Sequence, residues 1–227
     1  MRNSKRQSPP TVRFLPKSRA TKWLFLGDSI TLGARHTHGR RDYTQMFSER
    51  VRYELRRPKD LILNAAVDSA TAQDCLAGLD YILASFQPDI TFLMIGMNDA
   101  AADRRIPIPQ FKATLLAIVA KLRDIGADVV LQTPNPIVPE LALPYRRKFG
   151  RIVDAIREVA EEADLPLIDH TRNWESIFHG EDQSLAVSYM CDGVHPNGFG
   201  HALLAEQVFV ALGIRDATAP TCRSFAP

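Results

Sequence analysis

The sequence has few cysteines, no long apolar run and almost no excess of charge of either sign. Its three cysteines (Cys75, Cys191 and Cys222) are odd in number and widely spaced, which argues against a disulfide framework and a cysteine metal site. No apolar run approaches the roughly 20 residues of a membrane-spanning helix. The net charge is only +2, so composition gives no reason to expect a nucleic-acid partner. What remains is an ordinary globular composition, and 227 residues suffice for one domain with a large core.

The two ends of the chain differ in composition from the middle. Residues 1–22 contain basic residues and prolines but no acidic residue, and we expect a flexible arm there. This segment has no apolar stretch like that of a secretory signal, which favours a cytoplasmic protein. Residues 23–215 form the predicted domain, and residues 216–227 a peripheral tail.

Five short apolar runs alternate with helical patterns along the domain. The runs cover residues 23–26, 61–64, 90–95, 129–132 and 165–168. This alternation predicts an α/β protein with a doubly wound, mostly parallel sheet. Asp42 and Thr71 are predicted helix N-caps, Thr71 in a capping box with Asp74.

One segment is rich in proline. Residues 133–144 contain four prolines and are predicted to form a stiff surface loop that cannot be helix. A helix is expected to follow over about residues 145–163, because its apolar residues recur at helical spacing.

Polar residues directly follow the first three predicted strands. Ser29 comes after the first strand, Asn64 to Ser69 after the second, and Asn98 after the third. Parallel strands end at one edge of a sheet, and the active crevice of such folds lies beyond that edge. Taken alone, Gly27-Asp28-Ser29 is better explained as a helix cap than as a nucleophile.

The carboxyl-terminal part of the chain supplies the partners that a nucleophilic serine needs. His195 lies in a predicted turn, where its ring can take the Ser29 proton. Asp192, three residues earlier, can contact the imidazole and fix its tautomer. For the developing oxyanion we expect donors from the Ser29 backbone N–H, a backbone N–H near Ala66 and the Asn98 side chain.

Four blocks of this sequence resemble those of the SGNH (GDSL-type) hydrolases. They are Gly27-Asp28-Ser29-Ile30 with Gly33, residues 64–71, Gly96-Met97-Asn98-Asp99, and Asp192-Gly193-Val194-His195-Pro196. The resemblance implies a three-layer α/β/α sandwich with a five-stranded, mostly parallel, flavodoxin-like sheet. It also implies ester hydrolysis through an acyl-serine intermediate, with Ser29 as nucleophile, His195 as base, Asp192 as its partner and Asn98 as an oxyanion donor.

The second block departs from the family pattern. Where the family usually has a glycine as an oxyanion donor, this chain has Ala66, and Ser69 stands where a second glycine is common. An alanine N–H still donates if its φ is negative, so the extra methyl group is expected to affect substrate fit more than chemistry. The Ser29 turn also lacks the second glycine of the Gly-x-Ser-x-Gly elbow found in α/β-hydrolases.

The leading hypothesis is a metal-independent serine hydrolase that cleaves a small acyl or acetyl ester on a carbohydrate or lipid. Two alternatives are an acyltransferase with the same triad and a ligand-binding module without catalysis. No cofactor or metal is predicted, because His36 and His38 lie in a polar loop without a third ligand nearby. That loop, residues 34–41, is expected to line the mouth of the site. The expected partner is a small-molecule ester, with no nucleic acid and no membrane span, and the sequence leaves the oligomeric state open.

Overall fold

The computed structural model describes residues 19–174 and 187–223 and shows an α/β/α sandwich around a five-stranded sheet. The strands are β1 (Lys22–Gly27), β2 (Leu61–Asn64), β3 (Ile90–Met94), β4 (Asp128–Gln132) and β5 (Leu167–Ile168). Their order is β2-β1-β3-β4-β5, and all neighbouring pairs are parallel. The predicted fold class is confirmed, although β5 is only two residues long.

The register of the strands brings the predicted polar residues to one edge of the sheet. Gly27 at the end of β1 pairs with Met94 at the end of β3, and Phe25 pairs with Asn64 at the end of β2. The segments that follow these three strands therefore leave the sheet side by side. This is the edge at which ligands bind in open parallel sheets.

Eight α-helices lie within the described residues. They are α1 (Ser29–Leu32), α2 (Tyr43–Glu49), α3 (Ala72–Ser85), α4 (Ile108–Asp124), α5 (Pro139–Ala142), α6 (Phe149–Glu162), α7 (His170–Asn173) and α8 (Gly198–Ala211). A π-helical turn, Arg50–Glu54, continues α2, and a 3-10 turn lies at Pro220–Cys222. The predicted caps are confirmed, because Asp42 accepts from the Thr44 and Gln45 amides and Thr71 forms a capping box with Asp74.

Aromatic side chains fill the core where β1 and β3 meet α2. Trp23, Phe25, Phe47 and Phe92 are fully buried. The rings of Phe25 and Phe92 stack with centroids 4.8 Å apart, and Phe47 meets Phe25 edge-on at 5.1 Å. Such pairs are favourable beyond the burial of their area, so they hold the two strands that position the site firmly against α2.

The segment after β4 differs from the surface loop predicted for residues 133–144. Thr133 and Asn135 are fully buried, and Pro139–Ala142 form one helical turn, α5. A proline in the first turn of a helix removes no intrahelical hydrogen bond, so these prolines exclude a longer helix but not this turn. The next helix, α6, begins at Phe149 and not near residue 145.

Residues on both sides of the predicted domain limits make hydrogen bonds with the domain. The Thr21 amide donates to Asp60 at 3.1 Å and the Lys22 amide to Asp89 at 2.8 Å. In the predicted tail, the buried Thr221 donates to the Glu54 carboxylate. Residues 1–18 of the predicted arm and 224–227 of the tail lie outside the described residues. No helix among residues 19–174 and 187–223 is long and apolar enough to cross a membrane.

Candidate active site

Ser29 lies at the sharp turn between β1 and α1. Asp28 caps α1 by accepting a hydrogen bond from the Ile30 amide at 3.0 Å, and Ser29 is the first residue of the helix. A side chain at Gly27 would not fit, because its Cβ would lie 2.5 Å from the Met94 carbonyl oxygen on β3. Because Asp28 provides the cap of α1, the Ser29 hydroxyl is available to another partner.

The structure brings Ser29 together with His195 and Asp192. Ser29 Oγ lies 2.9 Å from His195 Nε2, and His195 Nδ1 lies 2.8 Å from Asp192 Oδ2. The Ser29 side chain is almost buried, whereas the Asp192 side chain is 47% exposed. The geometry is that of a hydroxyl, a base and a carboxylate that orients the base.

Asp192 also organises the loop that carries His195. Its Oδ1 accepts hydrogen bonds from the Val194 and His195 amides, each at 2.8 Å. Burial acts to raise the pKa of Asp192, but these bonds and the His195 ring outweigh it and hold that pKa below its usual value. Asp192 therefore stays ionised and fixes both the backbone and the ring of His195.

The proline-rich segment after β4 holds the His195 loop from the other side. The Val138 amide donates to the Gly193 carbonyl at 2.8 Å, and the Asn135 side chain donates to the Val194 carbonyl at 3.0 Å. A Cβ on Gly193 would lie 2.9 Å from the Leu141 side chain, so α5 packs closely against the loop. The unpredicted burial of this segment thus contributes to the placement of His195.

The turn after β2 lies between Ser29 and Asn98. The Val67 amide donates to the Gly27 carbonyl at 3.1 Å, and the Asn98 side-chain amide donates to the Ala70 carbonyl at 3.0 Å. The turn is therefore fastened to the segment before Ser29 and to the predicted oxyanion donor Asn98.

Within this turn, the predicted donor Ala66 is already engaged. Its amide donates to Asn64 Oδ1 at 3.1 Å, and Ala66 is buried. Ser69 is exposed and has a φ of 61°, in the left-handed region that favours glycine. Among the described residues, the Ser69 amide donates to no acceptor. Ala66 as an oxyanion donor stays a prediction, and the Ser69 amide in the same turn is a second candidate.

Two buried carboxyl groups support the residues of the site. Burial raises the pKa of Asp28 to about 7 and that of Asp99 to about 6. Asp28 caps α1, and Asp99 accepts the Ala72 amide at the start of α3. Their contacts make them supports for the turns that carry Ser29 and Asn98.

His36 is the residue of the site to which the sequence assigned no role. Its ring lies flat on the ring of His195, with centroids 3.7 Å apart and planes 1° from parallel. In the same loop, His38 Nε2 lies 3.3 Å from the exposed Cys191 Sγ. The loop of residues 34–41 therefore borders the site as expected. The only sequence signal for His36 was its place in the loop that leaves α1.

His36, Asp192 and His195 each offer a ligand atom within 4.8 Å of the others, which is compatible in distance with a metal ion. The orientation of the two imidazole rings is not compatible with a shared metal ion. The lone pair of an imidazole nitrogen lies in the ring plane, and one ion cannot lie in both of two parallel, stacked planes. The rings as they stand are therefore stacked partners and not a chelate.

Known proteins resemble this chain in both sequence and fold. The model of the GDSL-like Lipase/Acylhydrolase family matches residues 25–203, which include all four predicted blocks. An acetylxylan esterase of Geobacillus stearothermophilus is 23% identical over 85% of this chain and 94% of its own length. The thioesterase 1/protease 1/lysophospholipase L1 of Escherichia coli (strain K12) is 27% identical over 81% of this chain and 79% of its own.

Solved structures with the same fold include hydrolases. LAE5, an alpha/beta hydrolase enzyme from the metagenome of Lake Arreo, Spain, has a TM-score of 0.73 at 22% identity, covering 88% of this chain and 99% of its own. Axe2, an acetylxylan esterase from Geobacillus stearothermophilus, has a TM-score of 0.68 at 22% identity, covering 85% and 94%. Catalytic mutants of Axe2 replace a serine, an aspartate and a histidine. Because the family model covers most of its length, the chain belongs to the GDSL-like lipase/acylhydrolase family and is a carboxylic-ester hydrolase.

Proposed function

We propose that this enzyme hydrolyses small acyl esters through an acyl-serine intermediate, with Ser29 as nucleophile, His195 as base and Asp192 as its partner. The observation that carries the proposal is the continuous series of contacts from Ser29 Oγ through the His195 ring to Asp192, at 2.9 and 2.8 Å. These lengths lie within hydrogen-bonding range, so the proton of the hydroxyl has a base in place.

The chemistry proceeds in two displacements. His195 Nε2 takes the hydroxyl proton while Ser29 Oγ bonds to the carbonyl carbon of the ester. The carbon–oxygen bond to the alcohol then breaks, and the alcohol leaves with the proton from His195. Water next gives a proton to His195 and attacks the acyl carbon, and Ser29 regains its proton as the carboxylic acid leaves. Asp192 remains ionised and stabilises the imidazolium that forms in each displacement.

For the oxyanion, we propose three donors: the Ser29 amide, the Asn98 side-chain amide and the Ser69 amide in place of that of Ala66. Ser69 is favoured because its amide is not bonded among the described residues and lies in the turn held to both Gly27 and Asn98. The left-handed backbone of Ser69 supports this assignment, since strained conformations are retained at functional sites.

Replacing Asn98 with alanine is expected to lower kcat for p-nitrophenyl acetate by about 10²- to 10³-fold, because one oxyanion donor is lost. KM is expected to change much less, since the donor acts on charge that develops after binding. Stopped-flow or steady-state assays at neutral pH measure both constants. Asn173→Ala, at the exposed end of α7, is the matched control and should keep wild-type kcat. Unchanged kcat in Asn98→Ala would remove Asn98 from the oxyanion site.

The proposed substrate is an acetyl or other short acyl ester. An acetylated carbohydrate is one carrier, because a relative that aligns along 94% of its length is an acetylxylan esterase. A lipid ester is the other, because a second relative is a thioesterase and lysophospholipase. Rates on acetyl, butyryl and octanoyl p-nitrophenyl esters, on an acetylated xylooligosaccharide and on a lysophospholipid separate the two. A maximum at acetyl favours the carbohydrate, and a maximum at octanoyl the lipid.

A fluorophosphonate tests the acyl-serine step directly. We expect one phosphonate per folded chain, located at Ser29 by peptide mass spectrometry, because the His195 contact activates this hydroxyl. Folded protein that hydrolyses esters without label at Ser29 would contradict the proposed mechanism. Product analysis with a competing alcohol distinguishes hydrolysis from acyl transfer, which would give a new ester in place of the free acid.

A further inference from the structure

The stacked pair formed by His36 and His195 is a contact that a serine–histidine–aspartate triad does not itself require. The two rings lie 3.7 Å apart at 1°, on opposite sides of the boundary between the α1–α2 loop and the His195 loop. At this separation the faces of the two parallel rings are in van der Waals contact. The stack becomes more favourable when one of the rings is a cation, since an aromatic face attracts positive charge.

We propose that His36 is a positioning residue for His195: its neutral ring holds the imidazole in line between Ser29 and Asp192 and stabilises the imidazolium formed during each displacement. The role rests on the proposed function of His195 as base. The stack strengthens as His195 becomes charged, so it favours the transition state over the ground state and acts on kcat more than on KM.

The charges that surround His36 agree with a neutral ring. Burial lowers the pKa of His36 below its usual 6.5, and the neighbouring His195 acts in the same direction. The other groups whose charges act on His36 are Asp192 and Asp68, which raise its pKa, and Arg35, which lowers it. His201 on α8 is buried, and its pKa is lowered to about 3, so it adds no charge near neutral pH. His36 is therefore neutral near pH 7.

The stack also predicts a second acid-sensitive group. Below its pKa, His36 carries a positive charge 3.7 Å from a ring that must itself become positive in the reaction. Like charges at this distance repel strongly, so protonation of His36 opposes catalysis. Protonation of His36 is therefore expected to add to the fall of kcat/KM in acid, and a variant that cannot be protonated at position 36 should lose that addition.

Three substitutions distinguish the effect of the aromatic face of His36, the effect of its charge and the effect of an unrelated surface change. His36→Leu removes the aromatic face and is expected to lower kcat for p-nitrophenyl acetate at pH 8 by roughly 3- to 30-fold, with KM nearly unchanged. His36→Phe keeps an aromatic face that cannot be protonated. It should retain kcat within about 3-fold of wild type and show a weaker fall of kcat/KM in acid than wild type. Tyr53→Leu changes an exposed aromatic residue outside the site and should keep both the wild-type kcat and the wild-type fall of kcat/KM in acid.

Several results would overturn the proposal. They are a His36→Leu variant with wild-type kcat, equal losses in the Leu and Phe variants, equal losses in His36→Leu and Tyr53→Leu, or a fall of kcat/KM in acid in His36→Phe identical to that of wild type. Ser29→Ala, assayed in parallel, keeps the two proposals apart. An active Ser29→Ala refutes the proposed function, whereas an inactive Ser29→Ala together with any of the four results refutes only the role of His36.

Discussion

Replacing Ser29 with alanine is expected to reduce kcat for p-nitrophenyl acetate by up to about a million-fold, the loss seen when a serine-hydrolase nucleophile is removed. Without the hydroxyl, no acyl-enzyme forms, and His195 has only water to activate. The proposed oxyanion donors remain, so a residual rate roughly 10³-fold above the uncatalysed reaction is expected. The measurement is steady-state hydrolysis at high concentration of the variant. The variant is purified on equipment that has not been used for wild-type enzyme, so that traces of wild type do not supply the rate.

The fold should survive this substitution, which makes the kinetic result interpretable. Ser29 is the first residue of α1, but Asp28 caps the helix and the Ser29 hydroxyl contacts His195. A melting temperature close to that of wild type is therefore expected. Ser85→Ala, at the exposed end of α3, is the matched control and should retain full activity. Full activity in a folded Ser29→Ala variant would exclude Ser29 as the nucleophile.

The parts of the fold that could be predicted from sequence are those determined by local signals. The capping residues Asp42 and Thr71 mark the starts of α2 and α3. Each side chain accepts hydrogen bonds from backbone amides two or three positions away. The strands were recognisable because parallel strands covered on both faces are continuous apolar runs. The meeting of Ser29 with Asp192 and His195 followed from the resemblance of motifs and from the rule that parallel strands end at one edge.

The parts that could not be predicted depend on contacts between distant segments. The stack of His36 on His195 joins two loops far apart in the chain, and a polar loop gives no periodic signal of its partner. Residues 133–144 were predicted as a surface loop from their prolines, but Asn135 is buried because its side chain bonds to the His195 loop. The hydrogen bond from the Ala66 amide to Asn64 Oδ1 also has no signal in the motif from which Ala66 was predicted as a donor.

Replacing Asp192 with asparagine is expected to lower kcat by about 10³- to 10⁴-fold without unfolding the protein, mainly through the tautomer of His195. In the wild type, Oδ1 accepts the Val194 and His195 amides while Oδ2 accepts the His195 Nδ1 proton. An asparagine keeps its carbonyl oxygen toward the two amides, so its NH₂ group faces Nδ1 and donates to it. His195 then carries its proton on Nε2, the atom that must accept the Ser29 proton.

The exposure of Asp192 decides how much of this loss comes from charge. Its side chain is 47% exposed, so water can replace part of the electrostatic stabilisation of the imidazolium, but it does not correct the tautomer. A loss of 10³-fold or more in kcat therefore indicates tautomer control, and a loss below about tenfold would show that solvent can orient the base without Asp192. Asp80→Asn, an exposed carboxylate on α3, is the matched control and should keep wild-type kcat. Phosphonate labelling of Ser29 should slow in Asp192→Asn in parallel with kcat, because both reactions need the same proton acceptor.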